Sequence, residues 1–205
     1  MKNMTTSDDR IKTGWILASI SFMLTASIIF WYIGNPQSFI KTRIGVSSEA
    51  SSNLSVWIFT VCIVVGYITY TAIALPFVRK HLLTFSWLKV IGIWAAIVTG
   101  IVEEILFRHI LMDYMMSLDF SIFTQIFVSA FVFGLAHGAW VFLRGEFKIA
   151  VPIVISTTIL GGLLAALYIM TGRSTFAPIV AHILINLAIE PWLMLSAVSG
   201  KWNNK

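Results

Sequence analysis

Apolar residues fall along this chain in six long runs separated by short polar stretches. The runs cover about residues Trp15 to Ile33, Leu54 to Val78, Trp87 to Met116, Phe120 to Leu143, Ile149 to Met170 and Phe176 to Val198. A helix needs roughly 20 apolar residues to cross a bilayer, so each run is read as a transmembrane helix. The first run is nineteen residues long, exceeds a signal-peptide core and has no small-residue cleavage site after it, so it is retained as a helix. The third, at about 1.5 Å per residue, is longer than a ~30 Å hydrocarbon core and is expected to tilt, bend or project.

The connectors are polar. Gly34 to Asn53 carries Pro36, Lys41, Arg43 and Glu49 and reads as a water-exposed loop with an interfacial turn. Arg79, Lys80 and His81 form a basic connector with His81 solvated or at headgroup level, Arg144, Glu146 and Lys148 another, and Thr171 to Thr175 a short turn. Gly161-Gly162 and Ala165-Ala166 in the fifth run let helices approach closely. The pattern predicts an all-α polytopic transmembrane bundle of about six helices, with residues 1–205 as a single transmembrane domain.

Composition agrees with that reading: 58% of the residues are hydrophobic and 11% charged. The formal charge of +5 sits in short clusters between apolar runs and forms no stripe, which points away from nucleic acid and toward membrane topology. With the N-terminus inside, inner segments hold ten Lys and Arg and outer segments three, which predicts both termini in the cytoplasm. Cys62 is the lone cysteine and is expected to pack in the apolar interior.

Glu103, Glu104 and Arg108 interrupt the third run. An ionised group at bilayer depth costs roughly 2.5–3.5 kcal/mol, so such residues face a polar interior and mark a functional site by default. Glu104 and Arg108 are four apart and share a helix face, which predicts a buried structural ion pair; Glu103 is turned about 100° away and is left free. Phe133 with His137 and His182 with Asn186 repeat the same spacing on two further helices, so three helices can aim these pairs at one interior. The competing reading for a single His or Asn is an interhelical hydrogen bond worth roughly 0.6–2 kcal/mol. Glu190 and Asp113 fall near run ends and are expected at the interface, and His109 has no assigned role.

The chain lacks a His-Glu-x-x-His zinc motif, an intramembrane aspartate pair and a Gly-x-Ser-Gly element. A carboxylate and two histidines remain. Burial makes a carboxylate a stronger base for water, an imidazole can share its proton, and a second imidazole with an amide can donate to an oxyanion. That set suffices for water-dependent amide hydrolysis.

These motifs resemble the CAAX protease and bacteriocin-processing family, also called Abi or type II CAAX prenyl endopeptidase-like. Its Glu-Glu-x-x-x-Arg stands here as Glu103-Glu104-Ile-Leu-Phe-Arg108, its Phe-x-x-x-His as Phe133-Gly-Leu-Ala-His137, and its His-x-x-x-Asn as His182-Ile-Leu-Ile-Asn186. The resemblance covers about residues 87 to 190. It implies an intramembrane glutamic endopeptidase in which Glu103 and His137 activate water, His182 and Asn186 stabilise the oxyanion, and Glu104 with Arg108 holds the site. It further implies no cofactor, with zinc on the same side chains as the alternative, and a peptide or membrane-protein substrate met within the bilayer of a bacterial plasma membrane. A non-catalytic bacteriocin-immunity or membrane-protein-binding scaffold is the competing function.

Overall fold

The computed structural model describes residues 5–46, 53–140 and 147–201. The expected end of the fourth run at Leu143, loop residues Glu49, Arg144 and Glu146, and the tail from Trp202 to Lys205 lie outside the described residues. Among the described residues every regular element is helical.

Helix α1 (Ser7–Gly34) starts eight residues before the apolar run because Thr6 and Asp9 form a reciprocal cap: the Asp9 N–H donates to Thr6 Oγ1 and the Thr6 N–H to Asp9 Oδ2, both 3.1 Å. The expected loop after it opens with a helical turn, Pro36–Ser38, that runs into a π-helical turn, Phe39–Arg43. Helix α2 (Leu54–Ala74) stops short of the expected Val78. Pro76 cannot donate to the preceding turn, so the chain breaks at Leu75 and restarts as α3 (Pro76–His81) with proline at its first position.

Helix α4 (Trp87–Ser117) is the longest span and contains a π-helical stretch at Ile105–Ile110. Helix α5 (Ile122–His137) ends in a 3-10 turn, Gly138–Trp140, and α6 (Phe147–Met170) follows. The last apolar run is expected as one helix; the chain instead bends by 55° between α7 (Phe176–Ile189) and α8 (Trp192–Val198), where Pro191 interrupts the hydrogen-bond ladder. Among the described residues four helices are long and apolar enough to cross a membrane, five if α7 and α8 count as one broken span, and the sixteen-residue α5 is a shorter apolar helix. The protein is an integral membrane helical bundle.

Helix α7 is central, packing against α4, α2 and α6, while α5 and α6 form the most extensive pair and α1 rides on α4 and α8. Glycines set the closest approaches. A Cβ on Gly100 of α4 would stand 2.6 Å from Ile183 Cγ1 of α7, and one on Gly134 of α5 would stand 1.9 Å from Thr158 Oγ1 of α6. Of the two adjacent glycines in α6, Gly161 makes the close contact, 3.0 Å to Phe133 Cδ1, whereas Gly162 has ordinary spacing.

The connectors sort to two ends. At one, Ser174 Oγ donates to Gly45 O at 2.6 Å, Thr175 Oγ1 donates to Arg43 O, and Arg173 Nη1 meets Asp113 Oδ1 at 2.6 Å. At the other, Lys89 Nζ donates to Leu187 O at 2.5 Å and Glu190 O at 2.7 Å, and the His81 ring lies 5.2 Å from Trp192. His81 is therefore packed on aromatic rings rather than free at the headgroups. Cys62, expected inside, is exposed on the outer surface of α2.

Candidate active site

The three motif pairs converge. Glu104 and Arg108 are fully buried, and Arg108 Nε lies 3.0 Å from Glu104 Oε2. The contact is an ion pair without hydrogen-bond alignment, and neither terminal guanidinium nitrogen has a hydrogen-bond partner. The guanidinium instead lies 4.8 Å from the centre of the Phe133 ring, a cation–π contact that spares it part of the cost of desolvation. The other Glu104 oxygen, Oε1, accepts from His182 Nδ1 at 2.8 Å. Glu104 thus ties the first motif on α4 to the third on α7, and Gly100, one turn before it, permits the approach.

Both histidines present the same nitrogen to the gap. His137 Nδ1 lies 2.9 Å from Phe133 O, and His182 Nδ1 faces the Glu104 carboxylate; each partner only accepts, so each Nδ1 carries the hydrogen. In the neutral rings Nε2 is then a lone pair. Glu103 Oε2 lies 3.8 Å from His137 Nε2 and 3.8 Å from His182 Nε2, and it is buried without a hydrogen-bond donor. Three acceptors therefore surround a space too wide for direct contact. Asn186, one turn beyond His182, gives one amide hydrogen to Thr99 Oγ1 at 3.1 Å and lines the same cavity, about 140 Å³, as Glu103, His137 and His182.

The π-helical stretch begins immediately after Glu104 and includes Arg108. Its wider turn still lets residues four apart meet, and Phe107 O within it accepts from Ser129 Oγ of α5 at 2.9 Å, which fixes this irregular backbone to its neighbour. Phe133 is the hub: fully buried, its ring stands 5.2 Å from Phe107, 4.6 Å from His137 and 5.8 Å from His182.

Sequence reasoning left Phe133 and Thr99 without roles. Thr99 is four residues before Glu103, the same spacing that marked the other pairs, so the signal was present. Asp113 and Glu190, expected at the interface, are engaged: Asp113 accepts from Tyr168 OH at 2.8 Å and faces His109 Nδ1 at 3.0 Å, while Glu190 is buried and lines the cavity. His109 thereby gains a partner. Among the described residues no group of three or more His, Cys, Asp or Glu is arranged to hold a metal ion.

Compared with protein families, residues 85–188 match the Rce1-like family, described as type II CAAX prenyl endopeptidase Rce1-like. No curated protein and no solved structure matches the chain.

Proposed function

The chain belongs to the Rce1-like type II CAAX prenyl endopeptidase family, and from that premise we propose that it hydrolyses peptide bonds through a water activated by Glu103 and His137. The observation that carries this reading is the buried, donorless Glu103 Oε2 standing 3.8 Å from two imidazole nitrogens. A water between them donates to acceptors on both sides and so satisfies groups that otherwise cost free energy when buried.

Glu103 takes a proton from this water as its oxygen bonds to the substrate carbonyl carbon, and His137 steadies it through Nε2. The oxyanion meets Asn186 Nδ2, which has a second hydrogen beyond the one given to Thr99, and His182 Nε2, whose ring takes up a proton from solvent before the substrate arrives and keeps it through the cycle. The C–N bond then breaks and the proton held by Glu103 passes to the leaving nitrogen. Glu104 and Arg108 touch no reacting atom; they hold His182 and Phe133 in place.

The reading is metal-free. In its support, the 3.8 Å separations exceed the roughly 3.3 Å that tetrahedral geometry with zinc bonds of about 2.0–2.1 Å sets between ligand atoms. In the same reading the substrate is a peptide or membrane protein, and both termini face the cytoplasm of a bacterial plasma membrane, supported by the ten-to-three basic bias. The test is a Glu103→Gln protein in native membranes. Peptides or membrane proteins processed by the native chain should accumulate uncut, and an unchanged membrane proteome would favour a binding or immunity role.

A further inference from the structure

His182, Asn186 and Glu190 follow one another at intervals of four, so the face of α7 that carries the third motif continues for one more turn to a second carboxylate. All three line the 140 Å³ cavity, and Glu190 and Glu103 are its two carboxylates. Glu190 is 8% exposed, and Leu17, Ile20, Leu160 and Leu193 give the cavity an apolar wall alongside the polar Tyr67, Thr99 and Thr157.

The hydrogen bonds around Glu190 leave its carboxylate weakly engaged. The Met194 N–H at the start of α8 donates to Oε2 at 3.4 Å, a long contact. Lys89, the adjacent cation, gives its ammonium hydrogens to main-chain oxygens, Leu187 O at 2.5 Å, Glu190 O at 2.7 Å and Ala188 O at 3.4 Å, and so closes the end of α7. A buried, weakly engaged carboxylate therefore shares one cavity with the Glu103 centre.

We infer that Glu190 selects substrates with a lysine or arginine flanking the scissile bond, its stem lying along the apolar wall and its cation on the Glu190 carboxylate. The inference rests on the peptidase reading. One helical turn at about 1.5 Å per residue sets Glu190 roughly 6 Å beyond Asn186, close to the reach of an extended lysine side chain from its Cα. Long cationic side chains lie this way wherever an apolar surface ends in a polar group.

The test uses blocked, apolar hexapeptides in detergent that differ only by lysine or norleucine at the centre. Native protein should cleave beside lysine at least about 10-fold faster than beside norleucine, the scale of a hydrogen bond to a charged group. Glu190→Gln should lose that preference, and Glu190→Lys should shift it to glutamate. Because loss of the α8 contact could unfold these variants, n-butylammonium is also added to native protein, where it should compete with the lysine peptide more strongly than 1-butanol does. Binding of both peptides to Glu103→Gln protein is measured separately. Equal cleavage or equal binding of lysine and norleucine peptides, or equal effects of the amine and the alcohol, overturns the inference. A binding preference for lysine without any hydrolysis by the native chain sinks the peptidase reading and, with it, selection beside a scissile bond, leaving Glu190 as a cation-binding site only.

Discussion

His182 Nδ1 and Glu104 Oε1 lie 2.8 Å apart, joining two helices through residues 78 positions apart in sequence. Glu104 also faces Arg108, so its removal strands a buried guanidinium and frees the His182 ring. Glu104→Ala should therefore cost about 3–5 kcal/mol of stability, read as loss of folded protein in a detergent unfolding titration. Glu103→Gln keeps its size, and Glu103 Oε2 has no hydrogen bond to lose, so the variant should keep native yield while hydrolysis stops. Opposite phenotypes would mean that the two carboxylates have exchanged roles.

Phe133 contacts the guanidinium and both imidazoles. Phe133→Ala should destabilise by about 3–5 kcal/mol through the cavity it leaves. Phe133→Leu keeps most of the volume and loses the ring face, so its loss of turnover should exceed its loss of stability. Equal activity of the leucine variant and the native chain, measured at matched folded concentration, would reduce Phe133 to filler.

Gly100 brings α4 against α7 beside the Glu104–His182 contact. The Cβ of Gly100→Ala would press 2.6 Å from Ile183 Cγ1, the movable part of a side chain, and 3.2 Å from the Ile183 main-chain nitrogen. Overpacking of this kind costs about 1–3 kcal/mol, and here it also parts two motifs. Activity should fall in Gly100→Ala and recover in part when Ile183→Ala is added. At Gly134 the added atom would meet Val154 O at 2.8 Å, an immovable main-chain group, so Gly134→Ala should be the more damaging and resist rescue by Thr158→Ala.

Much of this arrangement was legible because lipid simplifies the code. Charges inside apolar runs stand out, and spacing by four assigns faces, which is how the sequence marks Glu103, Glu104, Arg108, His137, His182 and Asn186 as able to face one interior. What hydropathy missed was local backbone. It gave α1 no credit for its polar first turns, which a capping box extends, and it read through Pro76 and Pro191, where a missing N–H divides one run into two helices. It left Glu190 at the end of a run without partners, whereas the fold buries the residue against the start of α8. Cys62 fell the other way, since the absence of a distinct polar face on α2 left its direction undetermined.

Topology can be tested through the two sets of connectors. Because Ser174 and Thr175 are bonded to Gly45 and Arg43, residues near Lys41 and Arg173 must label from one side. The basic bias predicts that side to be external and the sites near Lys80 and Lys148 to be cytoplasmic. Single cysteines in a Cys62→Ser chain, probed with an impermeant maleimide on intact cells, should follow that division. Labelling of Lys41 and Arg173 positions from opposite sides would contradict the fold itself, whereas a concerted reversal would overturn only the orientation.

The oxyanion and metal questions are separable by one set of variants. Asn186→Ala removes an amide that lines the cavity and bonds Thr99, leaving Glu103 and both histidines in place. Turnover should fall by roughly 100- to 1000-fold with little change in KM if the amide meets charge that develops in the transition state. A purely structural role for Asn186 would instead lower stability and raise KM. His137→Ala should be at least as damaging to kcat if its imidazole shares the water with Glu103, as proposed. Metal content should be the same in the native, Asn186→Ala and His137→Ala proteins under the metal-free reading. One stoichiometric zinc in active native protein, lost from His137→Ala, with activity abolished by chelation and restored by zinc, would turn Glu103, His137 and His182 into ligands. In that case Asn186→Ala should still slow turnover, since an oxyanion donor is needed whether a free carboxylate or a metal activates the water.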